Sequence, residues 1–280
     1  MKSVLITGGT GFFANEFVSH LLKHDICPRV CIFSRDEHKQ AVMRQKFNND
    51  PRLRFFIGDV RDVKRLRTAM AGVDLVIHAA ALKRIEVGRY NPTEMVNTNV
   101  IGAMNVIEAS TNAKVSRVVF LSTDKAYQPI SAYGQSKALA ETMFIAANEV
   151  FGEHGPKFSV TRYGNIANST GSVIPLWREA LKTSDTVQVT DPDCTRFYMT
   201  AVQAVDLVLT TIRDMQGGEL VIPTLPAYRL GDLAEAMGAK MEITGLPDWE
   251  KKHESMNDGN SSDKARRMTV EELRCALAAA

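Results

Sequence analysis

The first structural pattern of the chain spans residues 4–14 and reads Val4-Leu5-Ile6-Thr7-Gly8-Gly9-Thr10-Gly11-Phe12-Phe13-Ala14. The apolar run predicts a buried strand, the glycines predict a tight turn, and the segment from Ala14 predicts a helix. In such a turn the backbone N–H groups can approach a pyrophosphate, which also meets the positive end of the helix. We therefore interpret it as a dinucleotide-binding turn, with a purely structural turn as the alternative. Its expected cofactor contacts are Thr7, Gly8, Gly11, Phe12 and Phe13.

Short apolar runs alternate with amphipathic stretches through the first 165 residues. Strands alternating with helices of this length predict a parallel sheet covered on both faces. The expected fold is therefore α/β, a Rossmann-like doubly wound parallel sheet. The predicted strands are 4–6, 30–33, 53–57, 75–78, 118–121 and 159–162, and the predicted helices include 14–23, 63–69, 93–109 and 138–150.

The pattern changes after Asn165, where turn-rich pieces separate shorter elements. We expect a dinucleotide-binding domain over residues 1–165 and a small C-terminal substrate-binding lobe over residues 166–280, interleaved with the first. The polar segment 247–262 is predicted to be a loop, and a capping-box pattern starts a last helix at Thr269. The other predicted elements of this lobe are helices 175–182 and 200–215 and strands 186–189 and 219–223.

Composition excludes several classes of protein. The 280 residues are 45% hydrophobic and 24% charged, and the net charge of +2 is too close to neutral to indicate nucleic-acid binding. Four scattered cysteines show no metal-ligand spacing and suit a reducing cytoplasm, so no metal site is expected. No apolar run reaches the roughly 18 residues that a membrane span needs, and the apolar N-terminus is read as a strand and not as a signal peptide.

The ends of the next strands supply further candidate cofactor contacts. An arginine at the tip of the second strand suits the additional phosphate of NADP, whereas an acidic residue there would bind the ribose hydroxyls of NAD. Ser34 and Arg35 therefore predict NADP over NAD, although Asp36 follows and an ordinary charged helix start is the alternative. The remaining candidates after the third and fourth strands are Asp59, Val60, Ala79, Ala80 and Lys83.

Two chemically distinct pairs lie within residues 122–137. Tyr133 and Lys137 are four residues apart, so on a helix they share one face, and both are expected to contact the cofactor and could assist a hydride transfer. Asp124 and Lys125 directly follow the fifth apolar run and add an acid and a base that a plain dehydrogenase does not need. The sequence therefore favours an eliminating enzyme. The alternatives are a surface pair on an ordinary helix for the first, and a loop salt bridge or helix cap for the second.

Taken together, these motifs resemble the extended short-chain dehydrogenase/reductase superfamily, and within it the soluble UDP-N-acetylglucosamine 4,6-dehydratases of the inverting type. The resemblance runs from residue 4 to about residue 254. It implies a UDP-N-acetylglucosamine substrate, a 4-keto-6-deoxy product, surface-glycan biosynthesis and a homo-oligomer. The matching stretches are 7–11, 34–37, 58–62, 78–83, 91–92, 122–137, 162–165 and 195–197.

The resemblance also implies roles for the paired side chains. Tyr133, as a phenolate helped by Lys137 and the nicotinamide charge, would take the proton from the hydroxyl at carbon 4. Lys125 would remove the proton at carbon 5, provided that burial keeps it neutral part of the time. Asp124, protonated in a dry site, would protonate the hydroxyl that leaves carbon 6, and Thr123 would orient the hydroxyl at carbon 4.

Substrate contacts are expected from several later segments. Arg196 suits bidentate recognition of a diphosphate. The family often carries an arginine in the segment equivalent to 245–251, and this chain has none there. A nucleotide-sugar 4-epimerase or reductase, or a non-catalytic NADP-binding regulator, would use the same fold. The complete set of expected substrate contacts is Lys83, Asn165, Val173, Pro175, Arg196, His253 and Glu254.

Overall fold

The computed structural model describes residues 1–279. Its centre is a sheet of seven parallel strands, and strands 3-2-1-4-5-6 lie in the order typical of dinucleotide-binding folds. The predicted fold class is confirmed. From edge to edge the strands are β3 (Leu53–Ile57), β2 (Val30–Ser34), β1 (Val4–Thr7), β4 (Leu75–His78), β5 (Arg117–Thr123), β6 (Lys157–Tyr163) and β10 (Leu220–Val221).

Helices cover both faces of this sheet, which explains why β1, β2 and β4 at its centre are almost entirely apolar and buried. Successive residues of a strand point to opposite faces, so Val4 and Ile6 pack in one core and Leu5 in the other. The helices packed against the first face are α1 (Phe12–Lys23), α2 (Glu37–Lys46) and α9 (Ala201–Asp214). Those packed against the second face are α3 (Val63–Ala69), α6 (Gly102–Asn112) and α7 (Ala132–Phe151).

The single helix predicted over 93–109 is wrong in detail. After α4 (Ile85–Tyr90), the chain forms α5 (Pro92–Met95), a π-helical turn at Val96–Ile101, and then α6. The wider turn carries Asn99, whose side-chain amide accepts from the N–H of Leu82 at 2.8 Å and donates to its carbonyl at 2.9 Å. Asn99 therefore fixes the loop after β4, as a structural residue.

A smaller lobe holds three further sheets. Thr269 caps its last helix with the predicted capping box. The loop predicted over 247–262 is wrong in part, because an antiparallel hairpin forms there and the Arg162 guanidinium donates to the Met256 carbonyl within it. The strands are β7 (Asn165–Ile166), β8 (Thr186–Val189), β9 (Thr195–Met199), β11 (Ala227–Arg229), β12 (Lys240–Ile243), β13 (Ser255–Asn257) and β14 (Asn260–Ser261), and the helices are α8 (Val173–Ala180), α10 (Leu230–Ala236) and α11 (Val270–Ala278).

The two lobes are interleaved in sequence, because α9 packs on the large sheet and β10 extends it. The division at residue 165 stays a prediction. Within residues 1–279, no helix combines the length and the apolar character needed to cross a membrane. Over the same residues, no group of three His, Cys, Asp or Glu side chains is arranged to hold a metal ion.

Candidate active site

A cavity of about 440 Å³ opens at the carboxyl ends of the large sheet, above the neighbouring strands β1 and β4, whose following strands β2 and β5 lie on opposite sides. This is the switch point at which parallel α/β sheets bind ligands. All but one of the predicted cofactor contacts line it. These are Gly8, Gly11, Phe12, Phe13, Ser34, Arg35, Asp59, Val60, Ala79, Ala80, Lys83, Tyr133 and Lys137.

At Gly8 the cavity is lined by backbone without a side chain. Gly8 has φ +63°, and a Cβ there would lie 2.9 Å from the backbone of Ala80, so only glycine fits. Thr7, the one predicted contact that does not line the cavity, is fully buried and ties the strand ends together. Its hydroxyl lies 2.7 Å from Nδ1 of His78 and accepts the N–H of Ala80. The cradle therefore fits the pyrophosphate of a dinucleotide.

The tip of β2 carries two cations, Arg35 and Lys39, and each lies within 4 Å of a carboxylate that also lines the cavity. Arg35 and Lys39 line the cavity, while Asp36 accepts the backbone N–H of Lys39 and thereby caps α2. Arg35 lies 3.7 Å from Asp59, which also binds Arg61 at 2.7 Å. Burial acts to raise the pKa of Asp59, but the hydrogen bonds from Arg61 outweigh it, so the pKa is lowered and the carboxylate stays charged.

Tyr133 and Lys137 occupy the first turns of α7, where both are buried and line the cavity. The helix begins at a cap, because the Ser131 hydroxyl accepts the N–H of Gly134 at 3.2 Å. Gly134 also lets α7 approach the 124–126 turn, since a Cβ there would lie 2.3 Å from the carbonyl oxygen of Lys125. This contact places the two predicted pairs side by side.

The charges differ from the expectation that Lys137 helps Tyr133 to ionise. Burial lowers the pKa of Lys137 to about 7, and its Nζ donates to the Leu121 carbonyl at 2.6 Å beside the Phe120 ring. Burial raises the pKa of Tyr133 to about 12, and the cation that most opposes this rise is Lys125. In this structure, therefore, Lys125 is the cation with the largest effect on the pKa of the Tyr133 phenol.

Lys125 lies between two carboxylates. Its Nζ is 3.1 Å from Asp124 and 3.1 Å from Glu254. Burial acts to lower the pKa of Lys125, but the two carboxylates outweigh it and the pKa is raised. The expectation that burial leaves this amine partly neutral is not met in this structure.

Asp124 is fully buried next to this amine. Burial raises its pKa, and one of its oxygens, Oδ2, has no hydrogen-bond partner among the described residues. The other oxygen accepts from the Thr123 hydroxyl at 3.0 Å. Burial favours the protonated form of Asp124, whereas the adjoining Lys125 ammonium favours its carboxylate, so the protonation states of the two groups are linked.

A second cavity of about 370 Å³ adjoins the first. Val173, Arg196 and Glu254 line it, whereas Pro175 and His253 do not. His253 instead bonds the Thr195 hydroxyl at 2.8 Å, which holds two segments of the lobe together. The two cavities share Lys83, Lys125, Asn165 and Ser169, so a ligand in the second can meet one in the first at these side chains.

Arg196 is buried and already engaged in several contacts. Its guanidinium donates to the carbonyls of Thr195 and Lys252 at 2.8 and 3.1 Å, and it pairs with Glu250. The side chain lines the second cavity, but these contacts leave less of it free for a diphosphate than the sequence suggests.

Comparisons with known proteins show which family has this sequence and fold. Residues 4–274 match the model of a family described as polysaccharide biosynthesis protein. The chain belongs to this family. It is 42% identical over 264 residues to the UDP-N-acetylglucosamine 4,6-dehydratase (inverting) of Campylobacter jejuni, covering 93% of this chain and 79% of that protein. The resemblance inferred from the sequence is confirmed.

Two other family comparisons bear on the site. The chain is 44% identical over 273 residues to a UDP-glucose 4-epimerase of Rickettsia felis, covering 94% of this chain and 80% of that protein. The crystal structure of Pen from Bacillus thuringiensis superimposes with a TM-score of 0.95 at 33% identity, covering 100% of this chain and 98% of that one. The two-lobed architecture is therefore shared along the whole chain.

Sequence reasoning missed several side chains of the second cavity. Arg84, Ser169 and Trp249 all line it, and none was a candidate. Arg84 directly follows the predicted contact Lys83, and no motif in the sequence marked it as a further candidate. The contact between Glu254 and Lys125 was also missed, because nothing in the sequence joins segments so far apart.

Proposed function

We propose that this chain is a nucleotide-sugar 4,6-dehydratase that converts UDP-N-acetylglucosamine into a UDP-4-keto-6-deoxy sugar with epimerisation at carbon 5. The observation that carries the proposal is the position of Lys125, which lies at the junction of the two cavities beside Asp124. Tyr133 lines the first cavity at the same place. An acid and a base next to a hydride-transfer pair suit elimination, which redox chemistry alone does not require. The 42% identity to an inverting dehydratase supports the same substrate.

We propose NADP as the cofactor. A bound nicotinamide would accept a hydride from the sugar and return it, so that no net oxidation occurs. Support for the additional phosphate comes from Ser34, Arg35 and Lys39, which line the cavity at the tip of β2, where the fold places the adenosine ribose. The glycine cradle at Gly8 would hold the pyrophosphate.

Four side chains then transfer protons or orient the sugar. Tyr133, once ionised, takes the proton of the hydroxyl at carbon 4, and Thr123 orients that hydroxyl. Lys125 takes the proton from carbon 5, which the ketone at carbon 4 has made acidic, and a proton that exchanges with solvent returns to the opposite face of carbon 5 when the hydride adds to carbon 6. Asp124 gives its proton to the hydroxyl leaving carbon 6, which departs as water.

The ion pair at this junction can supply both groups in their active forms. A proton moving from the Lys125 ammonium to the Asp124 carboxylate, across 3.1 Å, yields a neutral amine and a carboxylic acid together. No proton has to enter from solvent. The active state is thus a tautomer of the ion pair, and the two groups titrate as one coupled system.

Proton NMR of the purified protein with UDP-N-acetylglucosamine in heavy water tests the function. A new 6-methyl signal with deuterium entering at carbon 5 is expected, and the configuration of the product reports the epimerisation. Lys125→Ala should lose this product while still binding NADP. A change at carbon 4 alone, with the hydroxyl at carbon 6 retained, would instead establish the 4-epimerase that the Rickettsia felis relative suggests.

We further propose a cytoplasmic homo-oligomer. All four cysteines are free thiols, which suits a reducing compartment. Apolar side chains on the neighbouring helices α6 and α7 are exposed, including Met104 (48%) and Leu139 (52%), and such a surface favours self-association. Size-exclusion chromatography with light scattering measures the mass, and a monomer would contradict the second part of the proposal.

A further inference from the structure

The lining of the second cavity carries more positive than negative charge. Five cationic and three acidic side chains line it, so an excess of two positive charges faces a ligand. A nucleoside diphosphate ester carries two negative charges at neutral pH, which matches this excess. The cations are Lys83, Arg84, Lys125, Arg196 and Lys251, and the acids are Glu86, Glu250 and Glu254.

Three of the five cations already have acidic partners. Lys125 and Lys251 both approach Glu254, at 3.1 and 3.9 Å, and the Lys251 Nζ also donates to the Tyr127 carbonyl. Arg196 pairs with Glu250. A ligand phosphate would have to displace these partners, and breaking a buried ion pair leaves an uncompensated charge.

Lys83 and Arg84 differ from these three cations. Among residues 1–279, neither has an acidic group within 4 Å. Lys83 lines both cavities and so stands where the two ligands meet, whereas Arg84 lines only the second. The free charge that belongs to the second cavity alone is therefore that of Arg84.

The Arg84 guanidinium lies beside the backbone of Gly171 at the second cavity. Gly171 has φ +76°, and a Cβ at that position would lie 3.4 Å from the nearer guanidinium nitrogen. The guanidinium thus lies close to the backbone of the turn before α8, with its planar donor groups available. This geometry suits a phosphate, because guanidinium can offer two parallel N–H bonds to neighbouring oxygens.

We propose that Arg84 binds the diphosphate of the substrate, which makes it a substrate-binding residue of the second cavity. The inference rests on the proposed function in so far as the ligand is a nucleoside diphosphate. It assigns the main phosphate contact to a side chain of the loop after β4, while Arg196 remains held by Glu250.

Isothermal titration of the full chain with UDP tests the proposal without turnover. Relative to wild type, Arg84→Gln should weaken UDP binding about ten- to hundred-fold, the loss expected for a hydrogen-bonded charge. Arg84→Lys should fall between the two, because it keeps the charge and loses the planar fork. Arg213→Gln, at an exposed arginine of α9 outside both cavities, is the matched control.

Uridine and NADP separate the possible outcomes. Uridine lacks the phosphates, so its affinity should be the same for wild type and Arg84→Gln, and unchanged NADP binding shows that each variant is folded. Equal UDP affinity in wild type and Arg84→Gln would overturn the role of Arg84 and leave the dehydratase proposal intact. An equal loss of uridine affinity would also overturn it, since the contact would then be to the nucleoside. A wild type that binds NADP but not UDP would refute the proposed nucleotide itself.

Discussion

Replacing Glu254 by glutamine should shift the pH dependence of turnover to lower pH. The change removes one negative charge 3.1 Å from the Lys125 amine and keeps the size of the side chain. A negative neighbour favours the protonated form of every nearby group. Without it, Lys125, Asp124 and Tyr133 all lose their protons more readily, because Glu254 acts on each of them.

The size of the shift follows from the distance and the burial. A charge within about 4–6 Å moves a pKa by about 1–3 units, and each unit corresponds to about 1.4 kcal/mol. Lys125 is in direct contact with Glu254, so the largest change is expected there. The direction is the same whichever of the three groups limits the rate, and both limbs of the profile should therefore move to lower pH by about 1–3 units.

The assay is kcat/KM for formation of the 4-keto product as a function of pH. Glu254→Asp keeps the charge and should leave the limbs in place, even if the shorter side chain lowers the rate. Glu149→Gln, at an exposed position near the end of α7, makes the same substitution away from the site. A uniformly slower Glu254→Gln enzyme with unshifted limbs would refute the reasoning, since Glu254 would then be only structural.

Three further changes test the surroundings of the site. Gly134→Ala puts a Cβ 2.3 Å from the Lys125 carbonyl and should cost about 1–3 kcal/mol of stability, read from thermal unfolding, together with most of the activity. Glu141→Gln leaves the buried Arg162 without its counter-charge and should cost about 3–5 kcal/mol in urea unfolding. Lys137 has its pKa lowered from 10.5 to about 7, so the unfolded chain binds the extra proton and stability should rise as pH increases between these values. Lys137→Met should flatten that rise, on the order of 5 kcal/mol, and an unchanged slope would show that Lys137 is charged when folded.

The large sheet could be predicted because its signals are local. Most of its strands appear in the sequence as short apolar runs. The glycines of the first turn also indicate a close approach of the backbone, since a Cβ at Gly8 would collide with Ala80. The interruption of the helix over 93–109 could not be predicted in the same way. It depends on Asn99 reaching Leu82 in another segment, and the surrounding sequence remains compatible with a continuous helix.

In the candidate site, too, the local features could be predicted and the long-range ones could not. Tyr133, Lys137, Asp124 and Lys125 lie within one short stretch, so all four could be proposed from the sequence alone. Their charges were not predictable from that stretch, because protonation depends on burial and on partners brought from elsewhere. Lys137 illustrates this, since burial lowers its pKa to about 7 and its Nζ donates to the Leu121 carbonyl, surroundings that no local pattern reveals.

The segment around Glu254 shows why the smaller lobe matters for chemistry and not only for binding. Asp124 and Lys125 are neighbours in the chain and could form an ion pair by themselves. A pair of one acid and one amine, however, has no third charge that would shift the pKa values of both groups. Glu254 arrives from the other lobe and adds a third charge, which fixes the amine while burial favours the neutral form of Asp124. The protonation of the acid and the base therefore depends on a contact with the smaller lobe, so a variant that loosens the segment 245–254 should shift the pH dependence of turnover before it weakens cofactor binding.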